Sequence, residues 1–264
     1  MRLAVCLNLE REALLPMSHQ HLLTGLVYHL LGTSDPEYAR FLHDEGYSVE
    51  AGRARRLKLF VFSGLRVPGY RRRPEGDRLR IAPGPVEWLL ASPREDFLQH
   101  SATGLLTAGS VLEVGDIPLT ITSVEALPAP VFGETTRFTC LTPIVASVRI
   151  PNVGTRYLRP CDGEAFSEAV RKNLLEKYRL VYGDTPPADD RLTLTFKPEY
   201  LADPRHRGGT KLIRYKDIDV VGAFAPFTLT GSTALMHMAW ECGLGSRNSA
   251  GFGMIDVIGI EGIE

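Results

Sequence analysis

The chain has 264 residues, 44% hydrophobic and 23% charged, the make-up of a globular protein with a sizeable core and not of a disordered or fibrous one. A formal net charge of −1 sets it apart from strongly basic nucleic-acid binders, yet its cations are 24 Arg against 6 Lys, and Arg holds phosphate through a planar fork. No apolar run nears the roughly 18 residues that span a bilayer, the start is a poor signal peptide, and Cys6, Cys140, Cys161 and Cys242 are scattered, so a cytoplasmic protein with reduced thiols is expected.

Residues 3–9 read as a strand. Residues 16–31 carry Leu22, Leu23, Leu26, Val27, Leu30 and Leu31 at helical spacing, one apolar stripe. Gly32 is expected to close that helix, and Ser34-Asp35-Pro36 to open a short one that ends at Gly46. Residues 57–62 form a β-type run, followed by an Arg-rich hairpin region, a helix over about residues 86–106 and strands across residues 111–124. Ala126-Leu127-Pro128-Ala129-Pro130 is the expected linker, since its prolines disfavour helix and central strand. Beyond it, residues 138–148 are strand-like, residues 163–182 form a helix with Phe166, Val170, Leu174, Leu175 and Tyr178 on one side, and residues 192–196 alternate as a strand. Residues 211–215 and 220–229 are further strands, residues 233–240 a helix and residues 252–260 the closing strand. Strand–helix–strand–strand–helix–strand, met twice, predicts an α+β protein of two tandem ferredoxin-like units, residues 1–127 and 128–264. The cleft between them and their open sheet faces suit RNA.

Basic residues gather in three groups: Arg53, Arg55, Arg56 and Lys58; Arg71, Arg72, Arg73, Arg78 and Arg80; and Arg205, His206, Arg207, Lys211, Arg214 and Lys216. Solvated faces produce such runs as well, but three of them beside a glycine-rich segment point to a phosphate backbone. That segment is Gly243-Leu244-Gly245-Ser246-Arg247-Asn248-Ser249-Ala250-Gly251-Phe252-Gly253. Glycines let successive N–H groups curl into an anion-attracting nest, so Gly243, Gly245, Arg247, Asn248, Gly251 and Gly253 are expected phosphate contacts. A dinucleotide fingerprint is excluded, because it needs strand, glycines and helix in that order and here the helix comes first.

Of seven histidines, His43 is the most suggestive for proton exchange. By position alone it also reads as a surface histidine near a helix C-terminus, where the dipole favours a cation. Tyr28 stands opposite the leucine stripe, His21 lies seven residues earlier on much the same face, and His19 is nearby. His29 reads as a packed or flanking residue and His237 as a helix-packing one. No Cys, His or carboxylate arrangement has metal-binding spacing, and no Gly-x-Ser-x-Gly elbow is present.

Leu15-Pro16-Met17-Ser18-His19-Gln20-His21, residues 35–47, Leu57-Lys58-Leu59-Phe60-Val61-Phe62-Ser63, Thr142-Pro143-Ile144-Val145, Asn173-Leu174-Leu175-Glu176-Lys177-Tyr178 and the closing glycine-rich run follow one another along nearly the whole chain. Together they resemble the CRISPR-associated endoribonucleases that cut precursor CRISPR RNA within its repeats, the sixth-numbered family of CRISPR-associated proteins. The resemblance implies a pair of ferredoxin-like domains and RNA cleavage that needs no metal or other cofactor. A ribose 2′-hydroxyl would attack the adjacent phosphate, leaving a 2′,3′-cyclic phosphate (or 3′-phosphate) and a 5′-hydroxyl. In well-studied members a Tyr, a His and a Lys share this work. Tyr28 and His43 fall where the first two would be, Tyr28 positioning or helping to deprotonate the 2′-hydroxyl and His43 acting as general acid or base. Residues 44–50 contain no Lys, so Arg53, Arg55 or Lys58, or a second histidine, His19 or His21, is expected to fill that place. Arg53, Arg55, Lys58, Arg205, Arg207, Lys211 and Arg214 would hold the repeat RNA, expected as a stem-loop, with the glycine-rich loop lining the cleft. Other CRISPR effector subunits and a homodimer stay open as partners. The competing reading is a non-catalytic RNA-binding subunit that shares the fold.

Overall fold

A computed structural model describes residues 1–48 and 56–258. The first half opens with β1 (Arg2–Leu9), β2 (Ala13–Pro16), α1 (Gln20–Ser34), α2 (Pro36–Arg40) and a π-helical turn over Phe41–Glu45. β3 (Val61–Phe62), the hairpin β4 (Arg72–Glu75) and β5 (Arg78–Ile81), β6 (Gly84–Ala91), α3 (Glu95–Thr107), β7 (Val111–Val114) and β8 (Ile117–Leu127) follow. Its main sheet is antiparallel and runs β3-β6-β1-β8-β7. Strands β1, β3, β6 and β8 thus take the order of a βαββαβ ferredoxin-like unit, with β7 added at one edge.

The second half repeats the plan with β9 (Thr135–Cys140), the hairpin β10 (Ser147–Ile150) and β11 (Gly154–Tyr157), α4 (Glu164–Tyr182) and β12 (Leu192–Phe196). Then come α5 (Pro198–Ala202), the hairpin β13 (Thr210–Tyr215) and β14 (Ile218–Ala223), β15 (Phe227–Gly231), α6 (Thr233–Cys242) and β16 (Ile255–Val257). The sheet order β12-β15-β9-β16 is the same arrangement. Two tandem ferredoxin-like units account for the fold.

Pleating explains how the halves meet. Leu3, Val5, Leu7 and Leu9 of β1 enter the core beneath Leu23, Leu26, Val27 and Leu30 of α1. Ala4, on the opposite face, joins Val61, Leu89, Ala91 and Met254 in a cluster shared by both halves. Arg2 is 1% exposed and donates from Nη2 to the carbonyls of Trp240 (3.1 Å) and Ile255 (2.8 Å), with its guanidinium 4.0 Å over the Trp240 ring. Burial lowers its pKa to about 10, with Asp256 acting in the opposite sense.

Several expected elements differ in their bounds. The first helix starts at Gln20 because Ala13–Pro16 pairs with β5. It passes Gly32 and ends when Asp35 N–H donates to the Leu31 carbonyl at 2.7 Å. The run expected as one helix over residues 86–106 is a strand and then a helix. Its central strand is buried on both faces from Trp88 to Ala91, which hides the alternation a half-exposed strand would show. Of residues 57–62 only Val61 and Phe62 join the ladder, since Leu59 has φ 53°. Pro226 divides the run 220–229 into β14 and β15. Among the described residues no helix is long and apolar enough to cross a membrane. All four cysteines are free.

Candidate active site

Tyr28 lies on the flank of α1, half-buried and edge-on to Phe60. Asp35 caps α2, its carboxylate accepting from Glu37 N (2.9 Å) and Tyr38 N (3.0 Å), with Pro36 preset for the first turn. The helix then widens into the π turn and stops at Gly46, where φ is 66° and the N–H reaches the Phe41 carbonyl at 2.8 Å. π turns often mark functional positions because they rotate a side chain out of the helical register. Here the His43 ring stands edge-on to Tyr28, centroids 5.2 Å apart and planes at 79°.

Leu57 returns to Tyr47 as an antiparallel bridge, with N–H···O distances of 2.7 and 2.9 Å. That closure delivers Lys58, fifteen residues beyond His43 in sequence, to the same spot. Its Nζ donates to the Tyr28 hydroxyl oxygen (2.9 Å) and to the His43 carbonyl (2.7 Å). His43 Nδ1 lies 2.7 Å from Asp44 Oδ1, and both side chains are open to solvent. With Nδ1–H donated to the carboxylate, Nε2 is left to accept a proton. Burial, then the nearby Tyr215 and Asp44, raise the Tyr28 phenol well above the usual tyrosine range. A phenol raised in this way stays protonated at neutral pH and can donate a hydrogen bond. Burial also pulls Lys58 below the ordinary lysine value, opposed by Asp44.

The other candidate histidines are set apart from this cluster. His19 is the residue before α1, about 13 Å along the helix from Tyr28 at 1.5 Å per residue. Its Nδ1 lies 3.0 Å from the Pro16 carbonyl, and Nε2 is buried without a partner. Burial leads the downward shift of its pKa, helped by Lys211 and His21 and opposed by the Pro16 carbonyl. His21 Nδ1 is 3.1 Å from the Ser18 carbonyl. His29 is exposed, not packed, whereas His237 packs edge-on against Phe132. Arg53 and Arg55 lie outside the described residues.

The basic groups sort by their partners. Arg71 is buried and donates to the carbonyls of Ala82, Pro83 and Pro85, and Arg80 is tied to Glu12 and Glu75. Arg205 is held by Asp203 and Arg214 by Asp219. Arg72, Arg73, Arg78 and Arg207 remain exposed. Lys211 has exposed area, but its ammonium sits 4.8 Å over the Phe224 ring, and this desolvation, followed by Arg72, lowers its pKa. The β13–β14 hairpin also reaches the first half, where Tyr215 Oη lies 3.2 Å from Thr24 Oγ1. A cavity of about 570 Å³ opens between the halves, lined by Cys6, Gly64, Arg66, Arg72, Thr122 and Phe224 among others.

The glycine-rich loop is not the open anion nest its composition predicts. Gly243, Gly245, Asn248, Gly251 and Gly253 are buried. N–H groups of Leu244, Ser246 and Gly253 donate to the carbonyls of Gly253, Val145 and Pro143, each at 2.8 Å. A Cβ on Gly245 or Gly253 would run into a backbone carbonyl oxygen, and one on Gly251 into Phe62. Gly245 and Gly253 serve close packing within the second half and Gly243 and Gly251 packing against the first, and Arg247 is the exposed residue at the crest. Among the described residues no group of three or more His, Cys, Asp or Glu could hold a metal ion.

Comparison with known proteins agrees with this architecture over both halves. Residues 14–125 match the family described as CRISPR-associated protein Cas6, N-terminal, and residues 127–257 the one described as CRISPR associated protein Cas6, C-terminal. The chain belongs to the Cas6 family. It is 27% identical to CRISPR-associated endoribonuclease Cas6 1 of Methanocaldococcus jannaschii, covering 97% of this chain and 92% of that protein. It is 26% identical to CRISPR-associated endoribonuclease Cas6 of Pyrococcus furiosus, with 95% and 86% covered. Among solved structures, an RAMP protein binding different RNA substrates shares the fold at a TM-score of 0.78 and 21% identity, covering 98% of this chain and 99% of that one.

Proposed function

We propose that the chain is an endoribonuclease that cleaves precursor CRISPR RNA within its repeats. The residues divide at 127/128 into a first unit that carries the reacting groups and a second that carries the glycine-rich loop. The contact that carries the reading is the Lys58 ammonium, bonded at once to Tyr28 and to the His43 backbone. Tyr, His and Lys side chains converge on an accessible surface with the donors that 2′-hydroxyl attack requires. His43 Nε2 takes the proton from the ribose 2′-hydroxyl. The 2′-oxygen bonds to phosphorus and the bond from phosphorus to the 5′-oxygen breaks. Lys58 balances the charge on the phosphate oxygens, and its burial-weakened ammonium gives the proton that makes the leaving group a 5′-hydroxyl. Tyr28, kept protonated, donates a hydrogen bond that orients the phosphate. Arg72 and Arg247 supply exposed cations along the RNA path, Lys211 lies beside Arg72 with its ammonium over Phe224, and Arg205, Arg207 and Arg214 contribute at its margin.

The test is incubation of a repeat RNA with purified protein in EDTA, followed by mapping of both product ends. One cut site with a 2′,3′-cyclic phosphate and a 5′-hydroxyl is expected, together with loss of cutting when the 2′-hydroxyl at that site is replaced by hydrogen. A 5′-phosphate product that depends on added metal would overturn the chemistry. Tight binding without any cut would favour the non-catalytic RNA-binding subunit.

A further inference from the structure

Lys177 of α4 has no part in the cleavage scheme, yet its side chain is 1% exposed and surrounded by oxygen. Nζ donates to the carbonyls of Gly243 (2.7 Å), Gly245 (3.1 Å) and Cys242 (3.4 Å) and to Asn248 Oδ1 (2.8 Å). Positive φ at Gly243 (74°) and Gly245 (68°) accompanies the inward turn of those carbonyls. Asn248 closes the ring from its other end, Nδ2 donating to the carbonyls of Leu244 (3.1 Å) and Phe252 (2.9 Å). The glycine-rich loop is thus wrapped around a cation that belongs to the protein, the inverse of a nest of N–H groups around an anion. A buried ammonium is tolerated only where such donors and acceptors are matched.

The caged segment leads directly into Arg247, which has φ 62° and ψ 27°. A non-glycine residue rarely adopts that left-handed conformation. The residues around it are pinned: Ser246 N–H and Oγ both donate to the Val145 carbonyl (2.8 and 3.2 Å), and Ala250 N–H donates back to the Arg247 carbonyl at 2.9 Å. The guanidinium is exposed, with Nη2 3.4 Å from Tyr157 Oη. Carbonyl oxygens that would repel phosphate are turned inward to Lys177, and the loop offers a fixed guanidinium outward.

We propose that Lys177 is a positioning residue for RNA, drawing the loop carbonyls onto its ammonium and so holding Arg247 as a preformed phosphate clamp. Preorganisation of this kind raises affinity because the ordering cost is met before the ligand arrives. The inference rests on reading Arg247 as an RNA contact, and its test separates the two. Repeat-RNA affinity across a salt series and single-turnover cleavage are measured for Arg247→Ala, Lys177→Met and the double variant. Arg247→Ala should weaken binding about tenfold, lower the salt slope by about one and spare the rate at saturating enzyme. Lys177→Met should do the same, and the double variant should bind within twofold of Lys177→Met. An unchanged affinity in Arg247→Ala sinks the RNA reading of the loop. A loss in Arg247→Ala that multiplies with that of Lys177→Met, or a Lys177→Met that lowers the saturated rate instead of the affinity, sinks the positioning role. If Lys177→Met does not fold, Asn248→Ala removes one cage oxygen and the two closing donors. It should then speed hydrogen exchange at the Ser246 and Ala250 amides and weaken binding in the same direction, and unchanged exchange with unchanged affinity counts against the proposal.

Discussion

Replacing Lys58 by Met keeps the apolar stem and removes only the ammonium. Two hydrogen bonds vanish, to the Tyr28 hydroxyl at 2.9 Å and to the His43 carbonyl at 2.7 Å. Hydrogen bonds from a charged donor contribute about 1.5–3 kcal/mol. Removing one preorganised donor from a developing oxyanion costs about 2.7–4 kcal/mol, a factor of about 10²–10³ in rate. Single-turnover cleavage of a repeat RNA should therefore slow by about two to three orders of magnitude, while affinity, which rests on many phosphate contacts, changes less than about fivefold. A cleavage rate within about fivefold of the unaltered protein would refute the reasoning. The alkaline side offers a second check. Burial lowers the Lys58 pKa, so activity that needs its proton fades at lower pH than an ordinary lysine would allow. Linkage fixes the sign for stability. Between the depressed folded value and the 10.5 of the unfolded chain, the unfolded state binds more protons, so stability rises with pH there. Below that window the protonated side chain carries its full desolvation cost. Lys58→Met loses both hydrogen bonds together with that desolvation cost, so the two effects offset and its urea midpoint at neutral pH should shift little; a large drop would contradict this.

Asp44→Asn removes the charged partner of His43 Nδ1, but both groups are open to solvent, so cleavage should slow only about two- to fivefold, from ~0.5–1 kcal/mol; a hundredfold loss would assign Asp44 a far larger role. Arg247→Gly relieves a left-handed φ of 62° and should stabilise the fold by ~0.5–1 kcal/mol in urea titration, the left-handed strain being offset in part by glycine entropy, while RNA binding weakens. Gly253→Ala combines φ 78° with a collision against the Leu244 carbonyl and should destabilise by ~3 kcal/mol or more, read from the shift in denaturation midpoint. His19 has a lowered pKa, so stability should fall as pH drops through the unfolded value of 6.5 toward the folded one, where only the unfolded chain gains the proton. His19→Gln should narrow the gap between urea midpoints at pH 7.5 and pH 5, and an unchanged gap would show that another group sets the acid sensitivity.

Much of this layout could be read from residue pattern, and the failures share one cause. Residues 192–196 and 163–182 show clear periods because one face meets solvent, and the structure gives Leu192–Phe196 and Glu164–Tyr182. β6 is buried on both faces and loses that period, so it merged with α3 in the sequence reading. At the site, Asp35-Pro36 and Gly46 are local signals and they bound the short helical segment as expected. In the sequence Lys58 is one of several candidate cations, because the Tyr47–Leu57 bridge that brings it to Tyr28 joins residues across a segment with no periodicity. The glycine run is ambiguous for a related reason. Composition tells that a backbone curls but not whether N–H or C=O groups line the curl, and the deciding group, Lys177, is more than sixty residues away.

The two units share a topology, and each places a Lys near its first helix, yet the two cations meet opposite fates. Lys58 lies against α1 at the surface, donating to one phenol and one carbonyl with solvent alongside. Lys177 is within α4 and spends its donors on the protein's own carbonyls, so it has reach over a loop and none over a substrate. The difference follows from what meets each ammonium. Among the described residues Lys58 meets the Tyr28 hydroxyl and the His43 carbonyl, whereas Lys177 of α4 is ringed by carbonyls of the glycine-rich loop. A side chain larger than hydrogen at Gly245 would run into the Val145 carbonyl oxygen. The glycine-rich loop thus keeps the Lys177 ammonium inside the protein and leaves Arg247 exposed, the arrangement on which the proposed phosphate clamp rests.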